Sequence, residues 1–231
     1  MLAVISAGIA PGLALLSYFY LRDQYDTEPV TMVFRSFLLG VLLVFPIMFI
    51  QYAFLTEGVL QSPFANAFLL SGLLEEFFKW FIMFYTVYQH SHFDERYDGI
   101  VYGVAVSLGF ATVENILYLF ANGVTLAIGR ALLPVSSHAI YGVVMGYYLG
   151  IAKFSKMKKS IWIWASLIIP VLLHGMYDYI LLQIEEYWLY VMVPFMIMLW
   201  MLALRKVKVA SQLDEDSYKS TIKVKKENIK V

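Results

Sequence analysis

The chain has 231 residues, of which 61% are hydrophobic and 15% charged, with a mean hydropathy of +0.70, a composition that excludes an ordinary soluble domain and predicts an all-α polytopic membrane protein. Cysteine is absent, so disulfides and thiolate chemistry are excluded, and carboxylates, four histidines, lysines and hydroxyls are left to carry any reaction. The formal net charge is zero and excludes nothing; the placement of the charges along the chain is what informs.

The apolar runs predict about seven transmembrane helices. The first, residues 1–21, has no basic residue before its apolar run and no small-residue cleavage site, and is read as a span that Pro11 only kinks. A polar connection from Arg22 to Pro29 leads to a second span over 31–54, with Arg35 close enough to its start to snorkel. The third span, 64–88, contains Ser71-Gly-Leu-Leu-Glu75-Glu76-Phe-Phe-Lys79-Trp80. Three charges within five residues at bilayer depth cost several kcal/mol unless they face a protein interior or a wet cavity, so they point to a purpose. Helical spacing lets either carboxylate pair with Lys79 and lines Ser71, Glu75 and Lys79 into one polar stripe.

The fourth span, 99–120, carries Gly99, Gly103, Ser107 and Ala111 at four-residue intervals, with Glu114 and Asn115 near its end. The fifth, 131–151, repeats the device with His138, Gly142, Gly146 and Gly150. Such stripes let two backbones approach closely, so these helices are expected to pack together. The sixth span, 161–182, holds Pro170, His174 and Asp178, and the seventh, 188–204, has no charge. Residues 1–204 are read as one membrane-embedded domain, and the charged remainder, 205–231, as a tail that is flexible or weakly helical outside the membrane.

Cytoplasmic loops hold the excess of lysine and arginine. With seven spans one side receives Arg22, Arg96, Lys153, Lys156, Lys158, Lys159 and the basic residues of the tail, and the other only Arg130. The amino terminus is therefore placed outside and the carboxyl terminus in the cytoplasm. In that orientation, at a rise of about 1.5 Å per residue, Glu75, Glu114, His138 and His174 all fall roughly 10 to 15 Å below the outer ends of their spans. Four helices running alternately up and down thus deliver ionisable groups to one level, a four-helix catalytic core, with Asp178 one turn from His174 and able to orient it.

Two adjacent carboxylates in low dielectric do not readily both ionise, so one is expected to act as an acid and the other, held anionic by Lys79, as a base. A carboxylate that takes a proton from water, with histidines to meet a developing oxyanion, can hydrolyse a peptide without a covalent intermediate. The chain has no serine-nucleophile motif, no aspartate pair on facing spans and no His-Glu-x-x-His helix. Glu75 or Glu76 with Glu114, His138 and His174 could hold a divalent ion, although neither a metal nor another cofactor is assigned. A proton- or cation-coupled transporter is the alternative, since the same residue types build ion relays, and a scaffold binding partner helices through its glycine stripes is a third. Nucleic-acid binding by the lysine loop and tail is not expected.

Glu75-Glu76-Phe-Phe-Lys79, Phe110-Ala-Thr-Val-Glu114-Asn115, His138 and His174-Gly-Met-Tyr-Asp178 together resemble the PrsW family of bacterial membrane proteases, a branch of the superfamily containing CAAX prenyl endopeptidases and Abi proteins. The likeness covers essentially the whole membrane region. It departs from the prenyl endopeptidases in carrying Glu114 where they have the histidine of Phe-x-x-x-His, and Lys79 where that branch has arginine. The resemblance implies a glutamate-dependent endopeptidase of the bacterial cell membrane, its double glutamate activating water and His174 assisting. It further implies a single-span substrate in the lipid bilayer, an anti-sigma factor cut on its extracytoplasmic side as the first step in freeing a stress sigma factor. Glu75, Glu76, Lys79, Glu114, His138, His174 and Asp178 are the expected site, with the choice of base between Glu75 and Glu76 open.

Overall fold

A computed structural model describes residues 1–228. It is built of helices α1 (Leu2–Tyr20), α2 (Val30–Thr56), α3 (Leu74–Thr86), α4 (Arg96–Asn122), α5 (Ser136–Phe154), α6 (Lys159–Gln183) and α7 (Trp188–Asn228). No strand occurs among the described residues, as expected where every backbone amide must be paired within its own segment. Among those residues six helices are long and apolar enough to cross a membrane, the fourth of them running from Val124 through α5. The expected third span is also helical, from Pro63 to the end of α3, but Glu75, Glu76 and Lys79 keep it out of that apolar set.

α4 and α5 form the centre, and the glycine stripes explain how. A β-carbon built on Gly146 would lie 1.8 Å from the Gly99 carbonyl oxygen, and one on Gly103 would lie 2.4 Å from that of Gly142. The helices therefore touch backbone to backbone, and only a residue without a β-carbon fits the contact. Gly146→Ala is expected to cost about 3 kcal/mol, the upper end of the usual overpacking range, read as a fall in the detergent-solubilised thermal midpoint; an unchanged midpoint would show that the crossing is looser than this geometry. Around this pair α1, α2, α6 and α7 present their outer faces to the bilayer, and on α2 the exposed Leu38, Leu42, Phe45, Phe49 and Tyr52 follow helical spacing.

Two spans depart from regular α geometry at one end. The stretch Asn66–Leu73 is π-helical and runs directly into α3, and Ala131–Val135, which contains Pro134, is π-helical and runs directly into α5. Such wide turns free carbonyls from their usual partners. Gln51 of α2 donates to the Leu70 carbonyl, Ser136 to those of Leu132 and Leu133, and Ser137 to that of Pro134.

Beyond residue 204, where a flexible or weakly helical tail is expected, the chain continues α7 as helix. Val207 and Ala210 are buried, and Asp214 accepts from the backbone amides of Arg96 and Tyr97 at 3.1 and 2.9 Å and from the Arg96 guanidinium at 3.0 Å. This side chain serves the first amides of α4, groups that no carbonyl within that helix can reach. The last part of the expected tail, 229–231, lies outside the described residues.

Candidate active site

In the amino-acid sequence this region is a run of charge inside an apolar helix, and the fold brings partners to it from other helices. Lys79 is fully buried and donates to Glu76 Oε1 at 2.9 Å and to Glu75 Oε2 at 3.3 Å. Its ammonium lies 4.1 Å from the centre of the Phe110 ring on α4 and 3.1 Å from Nδ1 of His138 on α5. An ammonium has no lone pair, so His138 Nδ1 accepts and its Nε2–H donates to Glu114 Oε2 at 3.1 Å. Glu114 in turn accepts from Arg130 at 3.4 Å, while Arg130 Nε donates to the buried Asn115 at 2.9 Å.

The second imidazole approaches from α6. His174 Nδ1 donates to Glu76 Oε1 at 2.9 Å, its Nε2 lies 3.6 Å from Asp178, and its ring stacks on Tyr141 with centroids 5.0 Å apart. Glu76 thus joins Lys79 to His174 and is itself 0% exposed, whereas Glu75, 8% exposed, lies on the wall of a cavity of about 270 Å³ and accepts from Gln51 at 3.1 Å. Glu114, His138, His174 and Asp178 share that wall. All seven residues singled out in the sequence come together. The reason is the topology: α2, α4 and α6 end, and the segments leading into α3 and α5 begin, at the same face of the bundle.

Three contributors escaped the sequence reading. Gln51 is a lone amide in an apolar helix, a signal of the kind that marks intramembrane polar residues. Arg130 counted only as a loop charge, and Tyr141 carried no signal beyond its place one turn after His138. The donor set also suits a metal. One ligand atom from each of Glu75, Glu76, His138 and His174 lies within 4.8 Å of the others, all four residues are buried, and two imidazoles with carboxylates make a zinc-type set. Glu76 Oε2 is buried and has no hydrogen-bond donor among the described residues. The Lys79 ammonium stands among the same donors, so an ion and this ammonium would compete for them.

Known proteins carry the assignment further. The family profile described as "PrsW family intramembrane metalloprotease" matches residues 28–203. The chain belongs to the PrsW family. This PrsW-family chain is 61% identical to a protein named Protease PrsW from Geobacillus kaustophilus over 210 residues, 91% of this chain and 93% of that one. It is 61% identical to the protein of the same name from Bacillus subtilis, over 93% of this chain and 98% of that one. A more distant Protease PrsW, from Clostridioides difficile, is 33% identical over 84% of this chain and 86% of its own length. No solved structure matches. The PrsW chain is therefore a membrane peptidase, and neither the transporter nor the scaffold reading is needed for the cluster of charge in its core.

Proposed function

We propose that the protein is a glutamate-dependent endopeptidase that makes the first cut in a membrane-anchored anti-sigma factor, on the substrate's extracytoplasmic side, so releasing a stress sigma factor. The observation that carries the chemistry is Glu75 on the cavity wall with fully buried Glu76 behind it. Glu75 takes a proton from water as the water oxygen bonds to the peptide carbonyl carbon. His174, set between Glu76 and Asp178, donates from Nε2 to the developing oxyanion, and the proton held by Glu75 passes to the leaving amine as the C–N bond breaks. Lys79 and Glu76 fix the geometry of both. An ion held by Glu75, Glu76, His138 and His174 would add Lewis acidity and make its bound water a stronger acid.

The cavity residues lie at the end of the bundle away from Arg96, the lysines between α5 and α6 and the basic part of α7. Positive charge is retained in the cytoplasm, which supports an external opening, an external amino terminus and a substrate cut near the outer surface.

Purified protein in proteoliposomes, given a single-span protein with an extracytoplasmic segment, is expected to cut that segment near the membrane. Loss of the cut on chelation and its return with Zn²⁺ would assign the ion to the reaction; an equal rate with and without chelator would leave Glu75 acting on water alone. Failure to cut with Zn²⁺ supplied would refute the proposed substrate class.

A further inference from the structure

At the opposite face of the bundle a second group of carboxylates meets, and the peptidase chemistry does not use it. Glu95 caps α4: its side chain accepts from the amide of Asp98, and Asp98 Oδ2 accepts from the amides of Glu95 and Asp94. This reciprocal cap occupies one oxygen of each side chain. The other oxygens, Glu95 Oε2 and Asp98 Oδ1, are buried with no hydrogen-bond donor among the described residues, and so are both carboxylate oxygens of Asp23. Asp98 is 0% and Asp23 6% exposed. The Glu28 amide faces Asp23, and the buried Glu28 carboxyl, which accepts from the Tyr102 hydroxyl, stands beside Asp98.

We propose that Asp23, Glu95 and Asp98 form a binding site for one hard divalent cation of the Ca²⁺ or Mg²⁺ class. One oxygen from each lies within 4.8 Å of the others. Calcium–oxygen distances of about 2.3–2.6 Å place opposite ligands about 5 Å apart, and magnesium places them about 4 Å apart, so the three span a coordination sphere of this size. The ligands are all oxygen, which selects against zinc and copper. Nearby cations are committed elsewhere: Lys153 donates to the carbonyls of Tyr88 and His90, and Arg96 to Asp214. Burial first, and then repulsion from neighbouring carboxylates, pushes Asp23 and Glu95 up to about 7, a penalty on their anionic forms that a dication would relieve. The ion would tie the connection between α1 and α2 to the start of α4, next to the Asp214 contact from α7.

Protons shared among the carboxylates would satisfy the same oxygens, and that account predicts no cation uptake. The full chain, purified in detergent and stripped with EDTA, is titrated separately with Ca²⁺ and Mg²⁺ by calorimetry and by thermal unfolding. Wild type and Glu76→Gln, which alters the peptidase cavity, are both expected to take up one equivalent. Their midpoints should rise by about 5 °C at a hundredfold excess over Kd. Asp23→Asn and Glu95→Gln are expected to weaken binding at least tenfold; Glu95→Gln retains a capping oxygen and serves should Asp23→Asn misfold. Absence of binding of either cation to wild type, binding lost in Glu76→Gln, or wild-type affinity in Asp23→Asn or Glu95→Gln would overturn the proposal.

Discussion

Glu75→Gln is expected to reduce cleavage of a single-span substrate roughly 10³-fold, the scale of a lost general base, while the purified variant keeps nearly the wild-type thermal midpoint. The amide is isosteric, and Glu76 retains the shorter pairing with Lys79, 2.9 Å against 3.3 Å. Glu76→Gln is expected to lose both rate and stability, because that carboxylate holds Lys79 and His174 at once. The pair is best compared as initial rates beside unfolding curves. More than a tenth of the wild-type rate in Glu75→Gln would remove it as the base and leave Glu76, through Oε2, as the group that engages water.

Lys79→Met is expected to be the most destabilising change in the site, by about 3–5 kcal/mol, the cost of stripping a buried ion pair of one partner. The ammonium is fully buried and touches Glu75, Glu76, His138 and Phe110, so its removal leaves two carboxylates without their common cation. Adding Glu76→Gln to Lys79→Met is expected to restore more than half of the lost stability but no activity. A double variant no more stable than Lys79→Met alone would mean that Lys79 acts by packing and not by charge, which the double-mutant cycle reads directly.

The site was largely legible in the sequence because charge is rare at bilayer depth. Glu75, Glu76, Lys79, Glu114, His138, His174 and Asp178 each stood out against an apolar background, and alternating helix direction placed Glu75, Glu114, His138 and His174 at one level. The pairing of α4 with α5 followed from Gly99, Gly103, Gly142 and Gly146, whose spacing has little other use. What escaped notice depended on contacts between distant segments. The spacing of Val207, Ala210 and Asp214 fits one helical face, but the surrounding charges hid it, and only the amides of Arg96 and Tyr97 explain Asp214. The π-helical stretch Asn66–Leu73 has no compositional signature, being as apolar as a regular span.

Those wide turns let the double glutamate keep its aim while the segment before it carries extra length. A π turn takes about one residue more than an α turn to complete the same rotation, whereas each residue of an α-helix turns it by about 100°. Were Asn66–Leu73 to wind as ordinary α-helix at its present length, Glu75, Glu76 and Lys79 would swing at least about a quarter-turn away from His138 and His174. What sequence drift in this segment has to preserve is therefore the wide winding itself.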